Sequence, residues 1–267
     1  MLSPLQTLLV AVLPAVPVAL TVGGIDIPHA KASPASRALD DYNYPESWPF
    51  DARRDLTPDD PSDDQLFYLI PKFVHHAGEE CRQCLTDYYE CLLPEQGDVL
   101  DLCSSWTSHY PKGYKARRCA ALGLNALELL ANPSKTEWRV QNLNKNPSLP
   151  FEDASFDVVT NSLSADYLTK PLEVFREIRR VLRPGGVATM AFTNRCFPSK
   201  VVPCWNRPFT EPAHARILAS YCHYAGFDDI SVVDVSPNGW TGQRDPMIIV
   251  QARKAPVGRL GSNKTPE

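Results

Sequence analysis

The sequence predicts an α/β fold: a seven-stranded, mostly parallel sheet with an antiparallel C-terminal hairpin and helices on both faces. Three observations carry this. From Gln65 onward, short apolar runs alternate with stretches of helical periodicity, the pattern of βαβ crossovers and hence of a largely parallel sheet. The last two apolar runs, Ile230 to Val235 and Met247 to Ala252, are joined by a Pro-Asn-Gly-rich turn with no helix between them, so they pair antiparallel at one edge. The chain of 267 residues is 43% hydrophobic and 22% charged, enough for one domain with a full core.

The elements follow in order. Residues 79–93 read as a helix ending before Pro94. Asp98 to Leu102 is the first strand, Arg118 to Leu124 the second, Trp138 to Leu143 the third and Phe156 to Asn161 the fourth. Asn125 suits an N-cap for a short helix over Ala126 to Leu130. Leu172, Phe175, Ile178, Val181 and Leu182 recur at helical spacing. Thr169 is placed to cap that helix, Pro171 fits its first turn, and Pro184-Gly185-Gly186 stops it. Val187 to Phe192 is the fifth strand. A further helix begins near Thr210, with Pro212 in its first turn and Ile217, Leu218 and Tyr221 on one face, and ends at Gly226.

Ahead of this region the pattern changes. Met1 to Ile25 carries no charged side chain, and its apolar run is broken by Pro4, Pro14 and Pro17, which disfavours a smooth membrane-spanning helix. Ala30-Lys31-Ala32 has the small-x-small form that processing peptidases cut. Residues 1–32 therefore read as a cleaved targeting leader, with a retained membrane anchor as the rival. A basic n-region is missing, so the segment is not a standard secretory signal. Residues 33–64, rich in Pro, Asp and Ser with Trp48 and Phe50 as isolated apolar points, read as an extended linker lying loosely on the domain. The domain is then 65–254, followed by a disordered tail over 255–267.

The formal net charge of −4 and the lack of a long basic tract give nucleic acid no footing. Cys81-x-x-Cys84 with Cys91 and Cys103 has a superficial zinc-site spacing. No second C-x-x-C completes it, so no metal is expected. Cys81, Cys84 and Cys91 instead share a helical face as small buried hydrophobes.

Two segments carry a family resemblance. The run Leu149-Pro150-Phe151-Glu152-Asp153-Ala154-Ser155-Phe156-Asp157-Val158-Val159 is similar to the LPF-x-D-x-SFD-x-V segment of type 11-like methyltransferases, a class I group dependent on S-adenosylmethionine. At the expected distance, Glu177-Ile178-Arg179-Arg180-Val181-Leu182-Arg183-Pro184-Gly185-Gly186 resembles their E-x-x-R-V-L-K-P-G-G stretch. The resemblance covers about three-quarters of the chain. It is closest to a plant and algal branch whose first strand runs into DLCSSW where the wider family has DLGCGTG. It implies a Rossmann-like architecture, S-adenosylmethionine as cofactor and methyl transfer to a small-molecule acceptor. It also favours organelle targeting by a transit peptide, the chloroplast first, with thylakoid association open. The alternatives are the secretory pathway or a membrane anchor, and the apolar N-terminus suits a peripheral membrane contact.

The resemblance also implies site residues. In an open parallel sheet, ligands bind beyond the carboxyl ends of the strands, where strand order reverses. Asp101 ends the first strand there, and Cys103-Ser104-Ser105-Trp106-Thr107 would pass beneath the donor's amino-acid portion. Cys103, Ser105 and Thr107 stand where the family has glycines, and the hydroxyls of Ser104 and Ser105 are the expected substitute donors. Asn125 takes the place of the acid that grips the ribose, Asn142-Leu143 that of the adenine-reading pair, and Asn161 at the end of the fourth strand completes the donor set. The methyl group of a sulfonium is already activated, so alignment supplies much of the rate. A base is needed only if the acceptor must lose a proton. His76, Asp166 and Tyr167 are the catalytic candidates, and His75, Asn194 and Arg195 the acceptor-binding ones. A surface or helix-capping pair is the other reading of the histidines, and Arg195 is expected to pair with an acidic group of protein or substrate. The glycine-free loop motivates a second functional reading, a binding or assembly protein that keeps the fold without the chemistry.

Overall fold

A computed structural model describes residues 20–22, 24–207, 209–237 and 245–256. Most of the predicted leader, the tail from 257 and the turn at 238–244 lie outside the described residues. The described residues begin with a small antiparallel hairpin, β1 (Leu20–Val22) and β2 (Ile25–Ile27). There follow α1 (Asp64–Phe67), α2 (Glu79–Leu92), β3 (Asp98–Leu102), β4 (Arg118–Gly123), α3 (Ala126–Ala131), β5 (Glu137–Val140), β6 (Phe156–Ser162), α4 (Pro171–Val181), β7 (Leu182–Phe192), α5 (Glu211–Tyr224), β8 (Asp229–Asp234) and β9 (Ile248–Arg253).

Among the described residues, seven strands form one sheet in the order β5-β4-β3-β6-β7-β9-β8. Neighbours from β5 to β7 are parallel. β9 runs antiparallel to both β7 and β8. This is the predicted Rossmann-like architecture. The chain leaves β3 toward β4 and β5, then returns to place β6 on the other side of β3, which makes the β3–β6 junction the topological switch point.

Strand alternation divides the core between the two faces. Leu100 and Leu102 join Phe175, Ile178, Leu218 and Tyr221 of α4 and α5. Val99 joins Leu85, Tyr88 and Tyr89 of α2. All five residues of β3 are buried, as expected of a central strand covered on both sides.

Several local details differ from the sequence reading. Thr169 does not cap α4: the cap position is Lys170, without a side-chain bond, and the Thr169 N–H donates to Asn144 Oδ1 at 2.8 Å. The residue before a proline is pushed away from helical angles, so the helix begins at Pro171 itself. β7 starts at Leu182, ahead of the expected Val187. Pro184-Gly185-Gly186 lie inside it, where pairing with β6 jumps from Phe156↔Leu182 to Val158↔Val187. Gly185 there has φ +83°, a bulge geometry that glycine accepts at no steric cost. β5 ends at Val140, leaving Asn142 and Leu143 on the loop beyond it. Cys81 is buried and Cys84 partly so, but Cys91 is exposed, because the last turn of α2 buries Tyr88, Tyr89 and Leu92 and leaves Cys91 on its outer face.

The segment before residue 65 is packed more closely than its composition suggests. Ala35, Ala38 and Leu56 are buried in the α4–α5 core. Trp48 and Phe50 lie 5.7 and 5.3 Å from the Tyr221 ring, and Tyr44 stacks on His223 at 4.0 Å. A few large rings in the right grooves fasten a polar strap. Further upstream, Ile27 and Ala30 are buried against α2. The Lys31 N–H donates to Asp234 O at 2.8 Å, and its ammonium donates to the carbonyls of Ser236 and Pro237. The Ala30-Lys31-Ala32 motif is thus built into the fold. Deleting residues 1–32 should cost about 2–4 kcal/mol, from one buried isoleucine and the Lys31 hydrogen bonds. Urea denaturation reads this directly, and an unchanged midpoint would show that the hairpin contributes nothing.

Candidate functional site

A cavity of about 690 Å³ opens at the carboxyl ends of the parallel strands, within the usual range for small-molecule sites. Loops after β3, β4, β5, β6 and β7 line its sheet side, and residues from Asp64 to His76 line the N-terminal side. Twelve predicted residues reach it: Asp101, Cys103, Ser104, Ser105, Asn125, Asn142, Leu143, His75, His76, Tyr167, Asn194 and Arg195. Two do not. Asn161 is 1% exposed within β6, its Nδ2 donating to Leu102 O at 3.2 Å. Side chains alternate along a strand, so the next residue, Ser162, reaches the cleft instead. Asp166 is buried in a single 3-10 turn, Ala165–Tyr167, behind the cleft wall that Tyr167 lines, and its carboxyl accepts from the Tyr167 side chain. Burial pushes the Asp166 carboxyl up to about 8.

The loop after β3 keeps a glycine-like path without glycines. Cys103 has φ +57°, in the left-handed region where glycine is favoured. The Ser104 N–H donates to Leu122 O at 2.8 Å, drawing the loop across β4 at Gly123. A Cβ at Gly123 would stand 2.1 Å from Ser104 O. The close approach is thus permitted from the opposite strand.

The serine hydroxyls are not free for a donor, which corrects the expectation placed on them. Ser104 Oγ donates to Asp101 Oδ2 at 2.5 Å, and Ser105 Oγ to Glu128 Oε2 at 2.6 Å. Ser108 Oγ donates to Asp101 Oδ2 at 2.6 Å, and Thr160 Oγ1 to Oδ1 at 3.3 Å. Asn132 Nδ2 donates to Ser105 O at 3.0 Å and Ser108 Oγ at 2.8 Å. Burial outweighs the three hydroxyls and carries the Asp101 carboxyl up to about 6. Among the described residues, the N–H groups of Ser105, Trp106 and Thr107 have no hydrogen-bond partner. Backbone amides are therefore what this loop offers to an anionic ligand group.

Asn125 is fully engaged. Its Oδ1 caps α3 by accepting from the N–H groups of Leu127 and Glu128 at 2.9 and 3.2 Å. Its Nδ2 donates to Tyr68 O and Leu69 O at 2.8 and 3.2 Å. The cleft carboxylate beside it is Glu128, which the sequence reading missed. Asn125-x-x-Glu128 has capping-box spacing, which was the available signal. Yet Glu128 turns to the β3 loop and accepts from the Lys72 N–H at 2.6 Å rather than closing the box. Asn142 accepts from the Asn144 N–H at 2.9 Å and donates to Asp63 Oδ1 at 3.2 Å.

On the opposite wall, the Tyr167 hydroxyl accepts from the Phe197 N–H at 2.8 Å. Asn194 Oδ1 is buried with no partner among the described residues. Arg195 Nε donates to Asp245 Oδ1 at 2.6 Å, an acidic partner within the protein. The His75 ring lies 4.6 Å from Trp106 and the His76 ring 5.4 Å from Phe197. Burial holds both rings below the ordinary histidine value; Arg82 adds to this for His75 and Lys72 for His76. Both are neutral at pH 7 and able to accept a proton. Lys200, also unforeseen, is 2% exposed and donates to Ser62 O at 2.8 Å. It pairs with Asp60 at 3.1 Å and Asp64 at 3.4 Å, fastening the N-terminal strap over the cleft.

The comparisons with known proteins bear on this region. A family model described as "Methyltransferase domain" matches residues 117–190. The match begins after the β3 loop and includes both segments that carry the sequence resemblance. The malonyl-[acyl-carrier protein] O-methyltransferase of Marinomonas sp. (strain MWYL1) is 32% identical over 57 residues, 21% of this chain and 21% of that protein. The chain thus spans about a fifth of the length of the curated relatives it matches. Among solved structures, the [4+2]-cyclase SpnF is similar at 17% identity and TM-score 0.49, covering 70% of this chain and 89% of that one. An S-adenosylmethionine dependent methyltransferase from Mesorhizobium loti is similar at 18% identity and TM-score 0.44, covering 62% and 96%.

Two outcomes follow from the geometry. Gly123→Ala should destabilise the protein by about 1–3 kcal/mol, because backbone must move to admit the methyl group; a wild-type melting temperature would place the loop elsewhere. The second concerns pH. The Asp101 value of about 6 lies above that of an unfolded aspartate, so the folded protein holds an extra proton between about pH 4 and 6. That contribution to stability is complete below about pH 4 and is lost as pH rises through 6. Relative to Asp101→Asn, the wild type should therefore gain on the order of 2–3 kcal/mol between pH 7 and pH 4. Parallel stability curves would show that burial does not shift this carboxyl.

Proposed function

We propose that the chain binds S-adenosylmethionine in this cleft and transfers its methyl group to a small-molecule acceptor. The observation that carries this reading is the position of the cavity. It lies beyond the carboxyl ends of the parallel strands at the β3–β6 switch point, where such sheets bind ligands. The methyltransferase-domain match over 117–190 supports it.

The residues present fit the donor's parts. The unpaired amides of Ser105, Trp106 and Thr107 suit its carboxylate. Glu128, on the cleft wall beside Asn125, can accept from ribose hydroxyls or the amino group. The loop carrying Asn142 and Leu143 provides one polar and one apolar contact for the adenine. When bound, the donor supplies a methyl group on a sulfonium, already activated for in-line displacement. The protein's part is alignment and the exclusion of water. Asn194 has an unbonded amide oxygen to orient an acceptor, Tyr68 and Tyr167 close the wall around it, and the neutral His76 can take a proton from it.

Calorimetry on the full chain tests this. S-adenosylmethionine and S-adenosylhomocysteine should both bind. Asp101→Ala should weaken binding about tenfold or more, because the β3 loop loses the anchor that holds Ser104 and Ser108. Absence of heat at millimolar ligand would overturn the reading. Binding unchanged by Asp101→Ala would move the donor away from this loop.

A further inference from the structure

At the cleft wall an ammonium already sits against three aromatic rings, two of which, Tyr68 and Phe197, line the cleft. Lys72 is tied to the donor wall through its backbone, whose N–H donates to Glu128 Oε1. Its side chain lines the cleft. Nζ stands 3.8 Å from the centroid of the Phe67 ring and 5.0 Å from those of Tyr68 and Phe197. Phe67 packs edge-on against Tyr68 at 5.0 Å and against Phe197 at 5.3 Å, so the three rings form one unit. The rings come from two separate segments. Phe67 and Tyr68 end α1, whereas Phe197 lies on the loop after β7, next to Asn194 and Tyr167 in the cleft wall.

Among the described residues, the other two lysine or arginine cations lining the cleft are balanced by carboxylates: Lys200, which also stands 5.5 Å from the Phe67 centroid, by Asp60 and Asp64, and Arg195 by Asp245. The charge of Lys72 faces ring π-surfaces and a carbonyl, Phe67 O at 3.4 Å. Ring faces attract an ammonium by their quadrupole, and cages of this kind are suited to methylated nitrogen because it has few or no protons to donate. A flexible lysine stem lets the occupant leave without moving the rings.

We propose that the Phe67–Tyr68–Phe197 cage is the binding site for the cationic nitrogen of an organic ammonium ligand, and that Lys72 is its built-in occupant, displaced when that ligand enters. Joined to the methyl-transfer reading, on which this step rests, the ligand is an amine acceptor. Its ammonium first gives a proton to the neutral His76, whose ring lies against Phe197. The freed nitrogen lone pair forms the new N–C bond to the methyl group. The C–S bond breaks, and its electron pair goes to sulfur, which loses its positive charge. The nitrogen ends cationic again, so the cage accommodates product as well as substrate.

The test uses the full chain without methyl donor and tetramethylammonium as the probe, with tert-butanol as an uncharged control of similar size. An internal occupant lowers apparent affinity by the fraction of sites it fills, so Lys72→Ala should bind the probe about tenfold or more tightly than wild type. Phe197→Leu in the Lys72→Ala background should abolish the gain. Lys72→Gln, which keeps much of the stem without the charge, is the second variant should Lys72→Ala melt below the assay temperature. Equal affinity in wild type and the folded lysine variant would overturn the proposal, as would binding that survives Phe197→Leu or matches that of tert-butanol. Donor calorimetry is a separate readout: loss of donor binding removes the methyl-transfer step and leaves the cage, whereas loss of probe binding removes the cage alone.

Discussion

The buried carboxylate of Asp101 organises the functional end of the sheet. It gathers the hydroxyls of Ser104, Ser108 and Thr160, and Asn132 of the turn after α3 bonds the same serines. One charge-capable group at the end of the central strand thereby fixes a loop that has no glycine to shape it. The cost is desolvation, visible in the upward displacement of the carboxyl to about 6. A hydroxyl-rich loop can tolerate this because each hydroxyl donates to the ionised form and also accepts from its neighbours.

The opposite end of the same strand shows the contrasting solution. Asp98 opens β3 and is held down to about 2 by Arg117 first, with Arg183 adding to it and burial opposing both. Arg183 also pairs with Asp157 of β6 at 2.7 Å, so the amino ends of β3 and β6 are joined by an ion-pair network. A paired carboxylate at one end keeps its charge for architecture. An unpaired one at the other end sits near the point of titration, where the cleft lies.

The N-terminal half of the cleft is made by chain that belongs to no sheet strand. Lys200 holds residues 60–64 from the far wall, Asn125 holds the backbone at Tyr68 and Leu69, and Glu128 holds Lys72. These ties join the strap to the loop after β7 and to the cap and first turn of α3, which follows β4. Covering the cleft and shaping its acceptor side are therefore one construction. This explains why Phe67, Tyr68 and Lys72 lie beside Phe197 although some 125 residues separate them along the chain.

The sequence by itself determined the strand–helix order, the hairpin at the edge and the end of the sheet where a ligand fits. Those follow from periodicity and from the crossovers that join parallel strands, which are local or topological rules. It also placed most cleft residues, because a loop after a parallel strand points to one end of the sheet whatever its side chains. Tertiary structure alone decided what those side chains do. Ser104 and Ser105 give their protons to Asp101 and Glu128, and Asp166 is buried while its neighbour Tyr167 lines the cleft. Lys72 finds aromatic rings from segments far away in the chain. Hydrogen-bond partners and cation–π contacts depend on distances between segments, and spacing within one segment does not encode them.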